Sequence, residues 1–188
     1  MASNYKPMKK KILIGIGIIV LLFIVAFLYL NNRNRTLSPS GETMVDADGM
    51  LVSVAYARPS VRGRLIFGDS SEGALQPNGV YWRLGANEPT FLEVSQDFTF
   101  GSKEMDAGKY VIYAIPQKGQ MELRLNTDLR MWGYTEPDYS QDIAKTFVSM
   151  NSAAATEQFT IEAVATSTGA MLIFSWSDYQ WELPLNRQ

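Results

Sequence analysis

The chain has 188 residues, 17 Lys and Arg against 19 Asp and Glu, and neither histidine nor cysteine. That length holds one ordinary domain with an appendage, and the missing residue types exclude a Ser-His-Asp triad, a Cys-His dyad, His- or thiolate-ligated metals, disulfides and thiol redox work. Six of the cations and none of the acids fall in residues 1–35, which leaves 11 cations against 19 acids beyond them, a net charge of −8; that excludes a nucleic-acid partner, because phosphate neutralisation needs a basic surface.

Residues 1–11 carry Lys6, Lys9, Lys10 and Lys11 and read as a basic cytoplasmic segment. Ile12 to Leu30 (ILIGIGIIVLLFIVAFLYL) is a run of nineteen residues without a charge, an Asn or a Gln. As a helix it spans roughly 28 Å, close to the hydrocarbon thickness of a bilayer. A cleaved signal sequence has a shorter apolar part and a small-x-small site after it, whereas this run ends F-L-Y-L-N-N-R-N-R. The expectation is an uncleaved, single-pass transmembrane anchor over 12–30. Four lysines precede it and only Arg33 and Arg35 follow, so the N-terminus is expected in the cytoplasm and the large domain in the periplasm, at a bacterial inner membrane. Residues 31–49, polar and containing Ser-Pro-Ser-Gly, read as a flexible linker.

From Met50 onward the signal is period-two alternation with frequent turns. Leu51 to Arg58, Met121 to Leu125 and Phe159 to Val164 alternate as half-buried strands do. Lys109 to Ile115 is apolar on both faces and fits a central strand. Met171 to Trp176 and Tyr179 to Leu185, separated by Ser177-Asp178, predict a closing hairpin. Ile143 to Val148 fits strand and helix equally well. The expected fold of 50–188 is all-β: an antiparallel β-sandwich, or a partly closed barrel, of about nine or ten strands.

Two clusters carry chemistry. Tyr81 to Thr90 (YWRLGANEPT) ends a predicted strand on Arg83, turns at Gly85 and delivers Asn87, Glu88 and Thr90. Its structural reading is an Arg83–Glu88 ion pair at a corner, and its functional reading is a polar pocket. The second cluster, Tyr56 to Gly68, holds Arg58, Arg62 and Arg64. Alternation places Arg58 on the apolar side of its strand, where a guanidinium needs a carboxylate or an anionic ligand. Asp46-Ala-Asp48 and Glu136-Pro-Asp138 lack the spacing of a dedicated calcium loop, so no metal and no cofactor are expected. Trp132-Gly133-Tyr134 and Trp176 to Trp181 offer aromatic faces to a carbohydrate, although sandwich cores use aromatics as readily.

The order Tyr56-x-Arg58-Pro, Gly63-Arg64-x-Ile66-Phe67-Gly68, Trp82-Arg83-x-Gly85-Ala86-Asn87-Glu88-x-Thr90, Ala107-Gly108-x-Tyr110, Ala114-Ile115-Pro116 and Trp132-Gly133 resembles a bacterial family catalogued as a domain of unknown function and common in Bacteroidetes-type envelope proteins. Pro89 departs from it, standing where the pattern has Ala. The resemblance implies a β-rich envelope domain over about Met50 to Leu185 and supplies no catalytic residue.

The reading drawn from these residues is a membrane-tethered, non-enzymatic binding module. Arg58, Arg62, Arg64, Arg83, Asn87, Glu88 and Thr90 form one recess in that reading, for an envelope protein or a small anionic or carbohydrate ligand. The alternatives are a carbohydrate hydrolase using Glu88 with a second acid, and a structural scaffold of an envelope assembly.

Overall fold

The computed structural model describes residues 6–188, so the first five residues of the expected basic segment lie outside the described residues. The chain divides into two units, Met1–Leu37 and Ser38–Gln188. In the first, α1 (Lys6–Leu37) is one continuous helix of 32 residues. Its stretch Lys10–Leu37 reaches a mean hydropathy of 3.1 and is long and apolar enough to cross a membrane. The helix runs past the expected boundary at Leu30 because N-N-R-N-R-T, though polar, contains no helix breaker. Thr36 Oγ1 donates to the Asn32 carbonyl at 3.0 Å, and Arg35 lies in the last turn, where a cation suits the helix dipole. Pro39 is the first residue that disfavours continuation.

In the second unit the strands are β1 (Ser40–Ala47), β2 (Met50–Ala57), β3 (Phe67–Gly68), β4 (Gln76–Pro77), β5 (Thr90–Val94), β6 (Phe98–Phe100), β7 (Lys103–Met105), β8 (Gly108–Gln117), β9 (Gln120–Asn126), β10 (Asp142–Ser149), β11 (Asn151–Thr166) and β12 (Gly169–Arg187). They form an antiparallel sheet β1-β2-β5-β8-β9-β10, a second antiparallel sheet β11-β12-β6-β7, and a short parallel pair β3-β4. Val54, Leu92, Ile112 and Leu123 from the first sheet share one core with Phe98, Phe159, Phe174 and Trp181 from the second. Both sheets are open, so the fold is a sandwich and the barrel alternative does not hold. Twelve strands replace the expected nine or ten, since two-residue β3 and β4 carry no periodic signal.

The expected linker is corrected as well, because residues 40–47 are an edge strand. Gly41, Thr43, Val45 and Ala47 alternate inward, paired with β2 from Ser40↔Ala57 to Ala47↔Met50. A tight turn closes that hairpin, with Asp48 and Gly49 at φ 52° and 86°. Asp46 Oδ1 accepts the Gly49 N–H at 2.6 Å, so this acid serves the turn. Gly41 and Thr43 on the inward face and exposed Met44 on the outward one mask the alternation.

At the other end of the chain, the expected hairpin is one strand. Ser177, at φ 56°, shifts the alternation within β12. Leu172, Phe174 and Trp176 face the core before it, and Trp181, Leu183 and Leu185 after it. A bulge changes the parity of a strand without reversing the chain. The strand that forms a hairpin with β12 is β11, joined to it at Thr166↔Gly169.

The central strand β8 is buried on both faces, as its sequence predicts. On the outer face of the sheet, Asp142 Oδ2 accepts the Tyr113 hydroxyl at 2.6 Å and Arg124 Nη1 at 3.0 Å. Asp142 Oδ1 takes Asn126 Nδ2 at 2.8 Å, and Glu122 Oε1 takes Arg124 Nη2 at 2.6 Å. Burial pushes the Tyr113 phenol up, reinforced by its bond to the Asp142 carboxylate. Burial alone lowers Arg124, but hydrogen bonds with Glu122, Asp142 and Tyr113 outweigh it and raise the guanidinium. Removing one member leaves a largely buried carboxylate uncompensated. Arg124→Gln is therefore expected to cost about 3 kcal/mol, read as a lower urea midpoint of the full chain in detergent; an unchanged midpoint contradicts the role.

Candidate functional site

Strand β5 begins at Thr90, opposite Ile112 of β8. Two residues further along β8, its place is taken by Trp82. The Trp82 N–H donates to Ala114 O at 2.8 Å, Ala114 N–H returns the bond at 2.9 Å, and Gly79 N–H reaches Pro116 O at 2.7 Å. Residues 83–89 therefore leave the sheet as a loop between two points of one strand line. Val80 to Leu84, expected as a strand, makes only this single bridge. Its alternation survives in part: Trp82 and Leu84 are buried, Tyr81 and Arg83 half-buried, and Val80 exposed.

The loop is closed by its own residues. Leu84 and Asn87 adopt φ 55° and 58°, and asparagine tolerates that region better than most side chains. Thr90 is fully buried, and its hydroxyl donates to Leu84 O at 2.7 Å, tying the base. Trp82 Nε1 donates to Gly85 O at 3.1 Å. A Cβ at Gly85 would lie 2.9 Å from the Ala57 carbonyl, and one at Gly133 would lie 2.7 Å from Asn87 O. The loop is thus pressed between the end of β2 and the segment after β9.

Beside it opens a cleft of about 310 Å³. Arg64, Arg83 and Asn87 line it, with Ser38, Gln76, Tyr81 and Tyr134 as further polar walls. Trp82 and Trp176, stacked at 5.4 Å in the core, also line it, as do Pro59 and Leu75. None of the lining residues is an acid.

The seven predicted site residues are distributed as follows. Arg64 and Arg83 face this cleft with Asn87. Arg83 Nη1 donates to Asn87 O at 2.9 Å, its guanidinium lies 5.7 Å from the Tyr134 ring centre, and Asn87 Nδ2 reaches Ser38 O at 3.1 Å. The expected Arg83–Glu88 pair gives way to these contacts, and Glu88 is exposed. Arg64 donates through Nε to Val61 O at 3.0 Å and through Nη2 to Ser60 O. Arg58 continues the inward side of β2 as predicted, but neutral groups satisfy it: Nη2 reaches Thr160 Oγ1 at 3.2 Å and Nε the Phe159 carbonyl at 3.5 Å. Arg62 is an exposed turn residue at φ 52° whose N–H donates to Glu157 Oε1 at 3.0 Å. Arg58, Arg62, Glu88 and Thr90 lie outside the lining.

Burial lowers Arg83 from the usual arginine range, opposed by Tyr81 and Tyr134. Burial also pushes the Tyr81 phenol up to about 12, with Arg83 pulling the other way. The cleft therefore sets the Arg83 guanidinium beside a Tyr81 phenol that stays neutral at neutral pH, with Arg64 on the same lining. Its unpaired guanidinium hydrogens suit an oxyanion. Among the described residues no group of three or more acids is placed to hold a metal, and Asp138 accepts the Ser140 N–H at 3.0 Å as a turn cap.

Sequence reasoning missed Ser38, Leu75 and Gln76, which come from separate segments and carry no local motif. Tyr134 and Trp176 were visible as aromatics without an indication that they line the same cleft as Arg83. Fold and cleft together define a β-sandwich domain with an arginine-bearing polar cleft, in a chain whose N-terminal helix is long and apolar enough to cross a membrane. The chain belongs to the family described as Protein of unknown function (DUF2911), matched over residues 38–185. No curated protein and no solved structure matches it.

Proposed function

We propose that this protein is a membrane-anchored, non-enzymatic binding module of the bacterial envelope whose cleft takes a small anionic ligand. The observation that carries the reading is Arg83. It is half-buried, a neutral carbonyl and a ring are its partners, and no lining residue supplies a carboxylate. Desolvating a guanidinium is costly unless an anion compensates it, and Arg64 brings a second cation to the same space. The domain's net charge of −8 repels anions at long range, so attraction has to be local. The hydrolase alternative needs two acids in one cleft, and Glu88 lies outside an acid-free lining.

In this reading α1 is an uncleaved single-pass anchor at the inner membrane, with its lysines in the cytoplasm and the sandwich in the periplasm. Full-length protein is then expected in the pellet after an alkaline carbonate wash of membranes. Recovery of a shortened chain in the supernatant overturns the anchor.

For the cleft, the full chain in detergent is titrated with malonate and with inorganic phosphate at low ionic strength, reading tryptophan fluorescence. A saturable response is expected that weakens at least about tenfold in Arg83→Gln, the loss of one charge-assisted hydrogen bond, and less in Arg64→Gln. Absence of saturable binding in the unaltered protein overturns the proposal.

A further inference from the structure

The geometry points to a carboxylated sugar, free or at the end of a glycan, as the ligand of this cleft; the inference rests on the anion-binding reading above. A bare oxyanion needs only the two guanidinium groups, yet the walls hold more than that. Gln76, Asn87 and Tyr81 add neutral polar side chains to the lining; the Tyr81 hydroxyl donates to Gly133 O at 3.4 Å and Asn87 Nδ2 to Ser38 O at 3.1 Å, which leaves their oxygens as acceptors. These are groups that match hydroxyls rather than charge. The volume of about 310 Å³ stands at the lower end of small-molecule sites, roughly 300–1,000 Å³, which suits one or two sugar rings better than a lone ion.

The rim supplies the apolar half of the recognition. Tyr134 is 78% exposed although its ring borders Arg83, and Trp132, in the same turn, is 68% exposed. Exposed rings beside a polar recess give flat apolar faces, onto which the C–H face of a sugar stacks while its hydroxyls turn to the polar walls. Acetate and phosphate have no such face. The wall also contains Trp176, fully buried, whose indole Nε1 has no acceptor. Trp181 Nε1 is likewise without an acceptor and lies outside the lining, so the arginines and the exposed rim ring, not an orphan indole, mark this site.

The test is a calorimetric titration of the full chain in detergent with glucuronate, acetate and glucose, for the unaltered protein, Tyr134→Ala, Tyr134→Phe and Arg83→Gln, each first matched in melting temperature. Glucuronate is expected to bind at least tenfold more tightly than acetate, and glucose not measurably. Tyr134→Ala should remove that advantage while leaving acetate binding as it was, and Tyr134→Phe should keep it. Equal binding of glucuronate and acetate, both lost in Arg83→Gln, overturns the sugar and leaves the anion reading intact. Equal weakening of both by Tyr134→Ala assigns the ring to holding Arg83 and also overturns the sugar. Binding of neither anion overturns both readings.

Discussion

Trp82 and Ala114 exchange both of their backbone hydrogen bonds, and the rest of the cleft hangs from that bridge. It resumes the line of β5 along β8 after an excursion of seven residues, 83–89. The bridge also fixes the direction of the Trp82 indole, which enters the aromatic core against Trp176, Phe67 and Phe159. With that ring buried, its neighbour Arg83 has to project from the opposite face. The loop carbonyl of Asn87 then meets the guanidinium, and the segment carrying Gly133 and Tyr134 settles on top. A backbone interaction worth little alone thus decides where a cation stands.

Two half-buried arginines in this domain illustrate opposite solutions. Arg124 has Glu122 and Asp142 within salt-bridge distance, and the network around it engages Tyr113 and Asn126 as well. Such a group is structural, because its charge is compensated before any ligand arrives. Arg83 has a carbonyl and a ring. In a unit with 19 acids and 11 cations a carboxylate partner is statistically easy to supply; half-buried Arg58 also goes without one, held by Thr160 and Phe159, but Arg83 borders the open cleft and Arg58 does not, and that position asks for a functional account. Arg64, an exposed residue, brings a second guanidinium to the cleft from a different segment and bonds backbone carbonyls of its own turn.

Period-two alternation made β2, β9 and the second half of β11 legible, since each sets apolar residues against one core, and a run apolar on both faces did the same for β8. It failed where one face is dilute, as in β1, and where a bulge changes parity, as at Ser177 in β12. The helix extension to Leu37 is hidden in the sequence because N-N-R-N-R-T is polar and aperiodic, although nothing before Pro39 opposes a helix. At the site, Arg64, Arg83 and Asn87 stood out locally, and the placement of Arg58 on the inward side of its strand was correct. Its partners were not, because Phe159 and Thr160 arrive from a strand about a hundred residues away, and no local pattern encodes that meeting. Gln76, Ser38 and Trp176 reach the cleft by the same kind of tertiary coincidence.

The central claim, that Arg83 stands ready for an external anion, is tested most directly by nitrogen–proton NMR of the full chain in micelles, following arginine Nε–H and tryptophan indole signals as malonate is added against a matched sodium chloride series. The account predicts saturable shifts of Arg83 Nε–H and the Trp176 indole, with the Trp181 indole and Arg124 unmoved. Small shifts spread over all of these signals, linear in concentration and reproduced by chloride, would contradict it.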